Sequence, residues 1–290
     1  MTCNDAYCAC QRQYLQTKTD IDIRNFLDKT SMRHKVFHHF TTMKALAQIL
    51  SSKQWRLSSA AATNDLQEWD EKGIREEWNK IFSASFTHGY GENIGMWKMY
   101  GSKNPNKQIC ISFTVDFIKS WINQIKVVKI NDRVFHIDND GIMNDQKVSP
   151  ITFHDVIYAH GKQYDPEMRI CWGNIIKKCN QFEPSQSSVL TGYIKNAAWE
   201  YEKETRLMIK LPLSDFGYND EPPQHIFIDF PLIDEFKSIH YTFSPFADKC
   251  EEKLKEILKS ELDKERIPKD IIQSIISNSK MSYFYEKINL

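Results

Sequence analysis

The first thing this sequence lacks is a charge excess of either sign: 38 Lys and Arg stand against 38 Asp and Glu. With no overall positive field to draw the chain to nucleic acid or anionic lipid, a nucleic-acid partner requires a local basic patch. Lys103, Lys107, Lys177 and Lys178 are too dispersed to define such a groove. Long apolar runs are missing too. The longest fall well short of the ~18 residues that suggest a membrane span, and the opening residues carry no continuous apolar signal segment. A soluble, cytoplasmic protein with no membrane partner is expected. No repeat, low-complexity tract or Gly-rich dinucleotide motif is present.

The cysteine count, 7, is odd, and Cys110, Cys171, Cys179 and Cys250 are scattered through core-like sequence. That is thiol usage, not a disulfide framework. Cys3, Cys8 and Cys10 cluster near the start and could be imagined with His34 as a zinc site. Their spacing does not match a paired C-x-x-C knuckle, so no metal is expected there.

With 41% hydrophobic and 12% aromatic residues, the 290-residue chain can bury one large core or two moderate ones. Residues 1–33 are polar and predict a loose arm or a short helix ending near Asp28. Val36 to Phe40 reads as a strand, Thr41 and Thr42 as N-caps, and Met43, Leu46, Ala47 and Leu50 as a helical stripe. Trp55–Ser58, Ile81–Phe86 and Gln108–Thr114 read as strands. A helix carrying Leu66, Trp69, Ile74 and Trp78 is expected between the first two. Asp116 is positioned to cap a helix with Phe117, Ile118, Trp121 and Ile122. Residues 126–158 read as strand-rich with a turn near Asn139, Asp140 and Gly141, 165–182 as helical, and 183–189 as a polar loop. Strands follow at 205–211, where Thr205, Leu207, Ile209 and Leu211 alternate, and at His225–Phe230 and Ser238–Phe243. Leu254, Ile257, Leu258 and Leu262 predict an amphipathic helix, and Pro268 starts another with Ile271, Ile272, Ile275 and Ile276. The expected fold is α+β, with an arm at 1–33, one domain at 34–245 and a helical tail at 246–290 packed on it.

Four clusters could carry chemistry: HHFT at 38–41, NDLQE at 64–68, MWKMYG at 96–101 and WEYEKETRL at 199–207. Each has a bland explanation: a hydrogen-bonded core histidine, a helix cap at Asp65 with Glu68 in the first turn, core aromatics, a solvated strand edge. The last cluster is the most informative. If the segment is extended, Glu200, Glu202, Glu204 and Arg206 share one face. Like charges so placed repel unless water, Arg206 or Lys203 relieves them. In a cleft the same crowding would separate carboxylate pKa values, as acid and base roles require.

Taken in order, FHHFTTMKALAQIL with WRLS, TNDLQE, FSASF, GMWKMYG, QICISF and IKNAAWEYEKETRLMI resemble a widespread bacterial family known mainly as a domain of unknown function, over roughly residues 36–211. More remotely, a strand ending in His-x-Thr, a helix ending in Ile-Leu and a short following strand resemble the entry of the ADP-ribosyltransferase fold. The nucleic-acid-modifying toxins and RNA 2′-phosphotransferases are the nearest in kind. That resemblance implies a mixed, mostly antiparallel split sheet with flanking helices, and NAD as substrate. His39 and Thr41 would hold the NAD ribose, and Trp97 or Tyr100 would stack on nicotinamide. Asn64 would join the NAD-binding set, and Arg206 would grip the pyrophosphate or hold a neighbouring carboxylate. Glu202 or Glu204 would be the reactive carboxylate, since Glu200 lies farther from the alternating strand.

The implied activity is mono-ADP-ribosylation of a macromolecule (RNA, DNA or protein, nucleic acid slightly preferred) by a toxin or anti-phage defence effector. A neutralising antitoxin is then expected to dock on the C-terminal helices. Two other readings stay open. One is a metal-dependent nuclease using Asp65 or Glu68 with Glu202 and Glu204, Arg206 standing where a catalytic lysine would be. The other is a non-catalytic module that binds a nucleotide or a partner protein.

Overall fold

In VFHHFTT, Phe37 and Phe40 fall on opposite faces of an extended chain, and both are buried. A strand covered on both sides is an interior strand, not a solvated hairpin arm. The computed structural model describes residues 20–62, 80–88, 93–100, 103–104, 107–131, 133–137, 142–143, 146–147, 151–160, 169–172, 175–178, 192–211, 223–231, 238–247, 251–264 and 267–278.

In chain order these form α1 (Asp20–Ser31), β1 (Val36–Thr42), α2 (Met43–Ser52), β2 (Gln54–Ser59) and β3 (Ile81–Thr87). Then come α3 (Ile94–Tyr100), β4 (Gln108–Thr114), α4 (Val115–Gln124), β5 (Val127–Ile130) and β6 (Arg133–His136). Short strands follow: β7 (Ile142–Met143), β8 (Gln146–Lys147), β9 (Thr152–Asp155), β10 (Ile157–His160), β11 (Arg169–Trp172), β12 (Ile175–Lys178) and β13 (Ile194–Asn196). A 3₁₀ helix (Ala197–Glu202) leads into β14 (Glu204–Lys210), followed by β15 (His225–Asp229), β16 (Ile239–Phe243), α5 (Glu251–Lys264), α6 (Lys269–Ile275) and β17 (Ile276–Asn278). The fold is α+β, and its described strand registers are antiparallel except for β10–β13 and β16–β17.

The chain divides into two compact units. The first takes its described residues from Met1–His34, Leu57–Ser85 and Asp138–Ile226, the second from Lys35–Arg56, Phe86–Ile137 and Phe227–Leu290.

The first unit is built around β14, which pairs with β9 on one side and β3 on the other. Beside this pairing, β13 runs parallel to β10, whose other edge carries the β11–β12 hairpin. Helix α1 buries Ile23, Phe26 and Leu27, and Ser31 Oγ donates to the Phe153 carbonyl of β9 at 2.6 Å. The apolar 3–4 spacing of these residues is what a helix needs to present one dry face.

The second unit is a sheet in the order β17, β16, β4, β1, with β3 meeting β1 at His38↔Thr87. One face carries an aromatic core in which Trp55 meets Phe113, Trp121 and Phe230 at ring separations of 5.7, 5.3 and 5.2 Å. The other face carries Phe40, Met96, Trp97 and Cys110. Thr42, not Thr41, caps α2 by accepting the Ala45 N–H at 3.1 Å. Thr114, not Asp116, caps α4 by accepting from Phe117 at 3.2 Å.

Three expectations need correction. Residues within 165–182 form the β11–β12 hairpin instead of a helix. Ile276 opens β17 instead of continuing α6. In β14, residues Glu204–Ile209 are buried on both faces where one buried face was expected. The expected helix with Leu66, Trp69, Ile74 and Trp78, the turn at 139–141 and the loop at 183–189 lie outside the described residues, as do Cys3, Cys8 and Cys10.

Candidate functional site

The segment WEYEKETRL is not one extended strand. Asn196 Oδ1 accepts the Ala198 N–H at 2.8 Å and starts the 3₁₀ helix, which ends at Lys203 in the left-handed conformation, φ 46°. Only from Glu204 is the chain a strand. Glu200 therefore faces solvent, while the reversal at Lys203 turns Glu202 inward beside Glu204. The expectation of three carboxylates on one strand face is corrected to two, brought together from a helix end and a strand start.

Four charged side chains close on each other there. Lys195 Nζ lies 2.5 Å from Glu202 Oε2 and 3.1 Å from Glu204 Oε2. Arg206 Nε donates to Glu204 Oε1 at 2.7 Å, and its Nη2 donates to Oε2 at 3.1 Å. Side-chain exposure is 8% for Lys195, 3% for Glu202 and Glu204 and 6% for Arg206, so this is no wet strand edge. Two cations and two carboxylates make the quartet neutral, the condition under which charges tolerate burial.

The two carboxylates have different duties. Glu204 Oε1 also accepts from Ser85 Oγ at 2.5 Å, so all four lone-pair positions of Glu204 are taken by side-chain donors. Burial raises its pKa, but Arg206 and Lys195, with hydrogen bonds from Arg206 and Ser85, outweigh burial and hold the carboxyl well below the usual range. A group so engaged stays ionised near neutrality and is held in place by its four donors. Glu204 is an anchor. Its backbone N–H donates to Tyr158 OH at 2.8 Å, and burial followed by the Glu204 charge pushes that phenol well above its ordinary pKa. Burial acts against the Lys195 ammonium, but Glu204 and Glu202 more than offset it, leaving its pKa raised.

Arg206 is equally committed. Its Nη1 donates to the Gly192 carbonyl at 2.9 Å, and of its two expected roles its contacts match the holding of a neighbouring carboxylate, Glu204. Gly192 has φ 87°, which favours glycine, and a Cβ there would come within 2.6 Å of Met208 Sδ. His154 Nε2 lies 3.3 Å from the same carbonyl, and its ring stacks on Tyr193 at 3.6 Å. Burial drives the His154 pKa down to about 3. Tyr193 OH donates to Asp28 of α1 at 3.1 Å, and Asp155, beside β14, pairs with His34 Nε2 at 2.8 Å and accepts from Thr205 at 2.9 Å.

The remaining candidates lie in the second unit or outside the described residues. His39 is half-buried, its ring 4.9 Å from Trp55 and 5.6 Å from Phe86, and Thr41 shares its face of β1. Trp97 packs edge-on to Phe40 at 4.8 Å, on the opposite face of that strand, with Tyr100 in the same cluster. Trp97 is 0% exposed, so neither ring face is open to a nicotinamide, and its stacking role is corrected to a core role. Asn64, Asp65 and Glu68 lie outside the described residues.

Sequence reasoning missed Lys195, Ser85, Tyr158 and Gly192. The signal for Lys195 was a lone cation inside the apolar run GYIKNAA, which requires a partner wherever that run is buried. It also missed a polar row on the Phe40 face of the second unit. There His38 Nδ1 lies 2.8 Å from Ser112 Oγ, and His240, register partner of Ser112, lies 2.7 Å from Ser277.

Residues 96–207 match the family described as "Protein of unknown function (DUF2971)", which includes Lys195, Glu202, Glu204 and Arg206. Comparison with curated proteins and with solved structures finds no match. Among the described residues, no helix is long and apolar enough to cross a membrane.

Proposed function

We propose that this chain is an NAD-dependent mono-ADP-ribosyltransferase with Glu202 as its reactive carboxylate. It acts in the cytoplasm on a macromolecule, nucleic acid ahead of protein, as a toxin or anti-phage effector held in check by a neutralising partner. The observation that supports this reading is a pair of adjacent buried carboxylates sharing one ammonium: Glu202 at the end of a 3₁₀ helix and Glu204 at the start of β14, both in contact with Lys195. Cleaving the nicotinamide glycosidic bond develops positive charge on the ribose, and a fixed carboxylate in a dry site stabilises that charge far better than water does. After bond cleavage the same carboxylate can accept the proton of the incoming nucleophile.

A metal nuclease built on Glu202 and Glu204 is less well supported. Mg²⁺ needs open carboxylate oxygens, and Lys195 and Arg206 already neutralise the pair. Full burial of the quartet does favour a second reading, in which it is the frame of a nucleotide- or partner-binding module.

Incubation with labelled NAD and, separately, total RNA, DNA and protein tests the proposal. Label should enter one acceptor class, with nucleic acid expected, and Glu202→Gln should abolish the transfer. Ligand binding without product would favour the binding module. Chelator-sensitive cleavage of nucleic acid without NAD would favour the nuclease.

A further inference from the structure

We propose that Lys195 is the positioning residue for Glu202: one ammonium, shared between two carboxylates, holds Glu202 ionised and aimed while Glu204 secures the ammonium itself. The mechanistic part of this inference rests on Glu202 being the reactive carboxylate, whereas the coupling between the two side chains does not.

The geometry is that of a shared counter-ion. Lys195 Nζ touches Glu202 at 2.5 Å and Glu204 at 3.1 Å, and it lies 4.9 Å above the Trp199 ring. When Glu202 engages a cationic ribose, the ammonium keeps its contact with Glu204 and its place over the indole. It is never left buried and unpaired, the condition that makes breaking an ion pair costly. Arg206 is the cation matched to Glu204: its Nε and Nη2 donate there and its Nη1 donates to the Gly192 carbonyl.

Among the described residues, the charged and titratable groups that act on Lys195 are Glu202 and Tyr201 from the 3₁₀ helix and Glu204 and Arg206 from β14. Tyr158 of β10 and His154 of β9 act on Glu204 and Arg206. With Arg206 matched to Glu204, loss of the Lys195 charge leaves the quartet one negative charge in excess. Glu202, whose Oε2 loses its Lys195 contact, is where a proton enters to remove it.

The test uses the full chain labelled with ¹³C at glutamate carboxylates, the Glu202 resonance being assigned by its loss in Glu202→Gln. Lys195→Met should raise the Glu202 titration midpoint by about one pH unit or more, and Lys195→Arg should restore most of the wild-type value. An unchanged midpoint in folded Lys195→Met overturns the proposal. If Lys195→Met does not fold, Glu202→Gln reads the same coupling from the other side. It should lower the titration midpoint of Lys195 ¹⁵Nζ, and no change there overturns the proposal equally. In parallel, the acid limb of kcat/KM for nicotinamide release should move up in Lys195→Met by the amount the resonance moves. Absence of release from every form would sink the transferase reading and leave the resonance titration to judge Lys195.

Discussion

Arg206 and Glu204, two residues apart on one face of β14, are joined by paired contacts, Nε to Oε1 at 2.7 Å and Nη2 to Oε2 at 3.1 Å. A bidentate grip between neighbours on the same strand orients both side chains. Lys195 from β13 and Ser85 from β3 complete the donors on the same carboxylate.

Removing that carboxylate should be the most damaging single change in the first unit. Glu204→Ala strands Arg206 and Lys195 in a dry interior and is expected to cost about 3–5 kcal/mol. Glu200→Ala, on the solvent side of the same helix end, should stay within about 0.5 kcal/mol. Urea denaturation of both variants checks the contrast.

Gly192→Ala places a methyl group 2.6 Å from Met208 Sδ at a backbone angle that disfavours side chains. A loss of about 1–3 kcal/mol is expected. Adding Met208→Ala should recover the steric part and leave the backbone part, which a double-mutant cycle separates.

Trp97→Phe should leave any NAD-dependent activity intact, because the indole lies in the core and not in a binding site. Its Nε1–H is buried with no hydrogen-bond partner among the described residues, so the phenyl ring removes an unmet polar group. Stability is expected to fall by about 1–2 kcal/mol, the cavity left by the smaller ring being partly offset by removal of the unmet N–H. A large loss of activity at wild-type stability would return Trp97 to the site.

Acid should weaken the fold in steps. Burial pushes His38 down to about 4 and His154 to about 3, against an ordinary value of 6.5. As pH falls from the unfolded value toward these folded ones, the unfolded chain binds protons that the native chain refuses. Stability present above about pH 6.5 is therefore lost on acidification. His38→Gln should flatten the fall between about pH 6 and 4.5 by close to one proton, or about 1.4 kcal/mol per pH unit. Denaturation midpoints measured across that range give the slope.

Much of this was legible in the chain itself. Period-2 runs identified β1, β4, β15 and β16, and the 3–4 spacing identified α2, α4 and α5, because these segments bury faces their local pattern already defines. The β11–β12 hairpin was missed where the local cue was present: Gly173-Asn174 divides two short apolar runs, a two-residue hairpin signature outweighed by helical-looking spacing. In WEYEKETRL the alternation of glutamates imitated a strand. The cap at Asn196 and the reversal at Lys203 set the backbone instead. Lys195 could not be paired with Glu202 from sequence, since strand β13 and the 3₁₀ helix must fold back before the two meet.

Nicotinamide release from NAD by wild type, Glu202→Gln and Glu200→Gln, each confirmed folded by its unfolding midpoint, reaches the central claim most directly. Wild type and Glu200→Gln should release nicotinamide at matching rates, with Glu202→Gln slower by at least about a hundredfold. Equal release by wild type and Glu202→Gln, or none by wild type with any acceptor, would contradict Glu202 as the reactive carboxylate of an NAD-consuming enzyme.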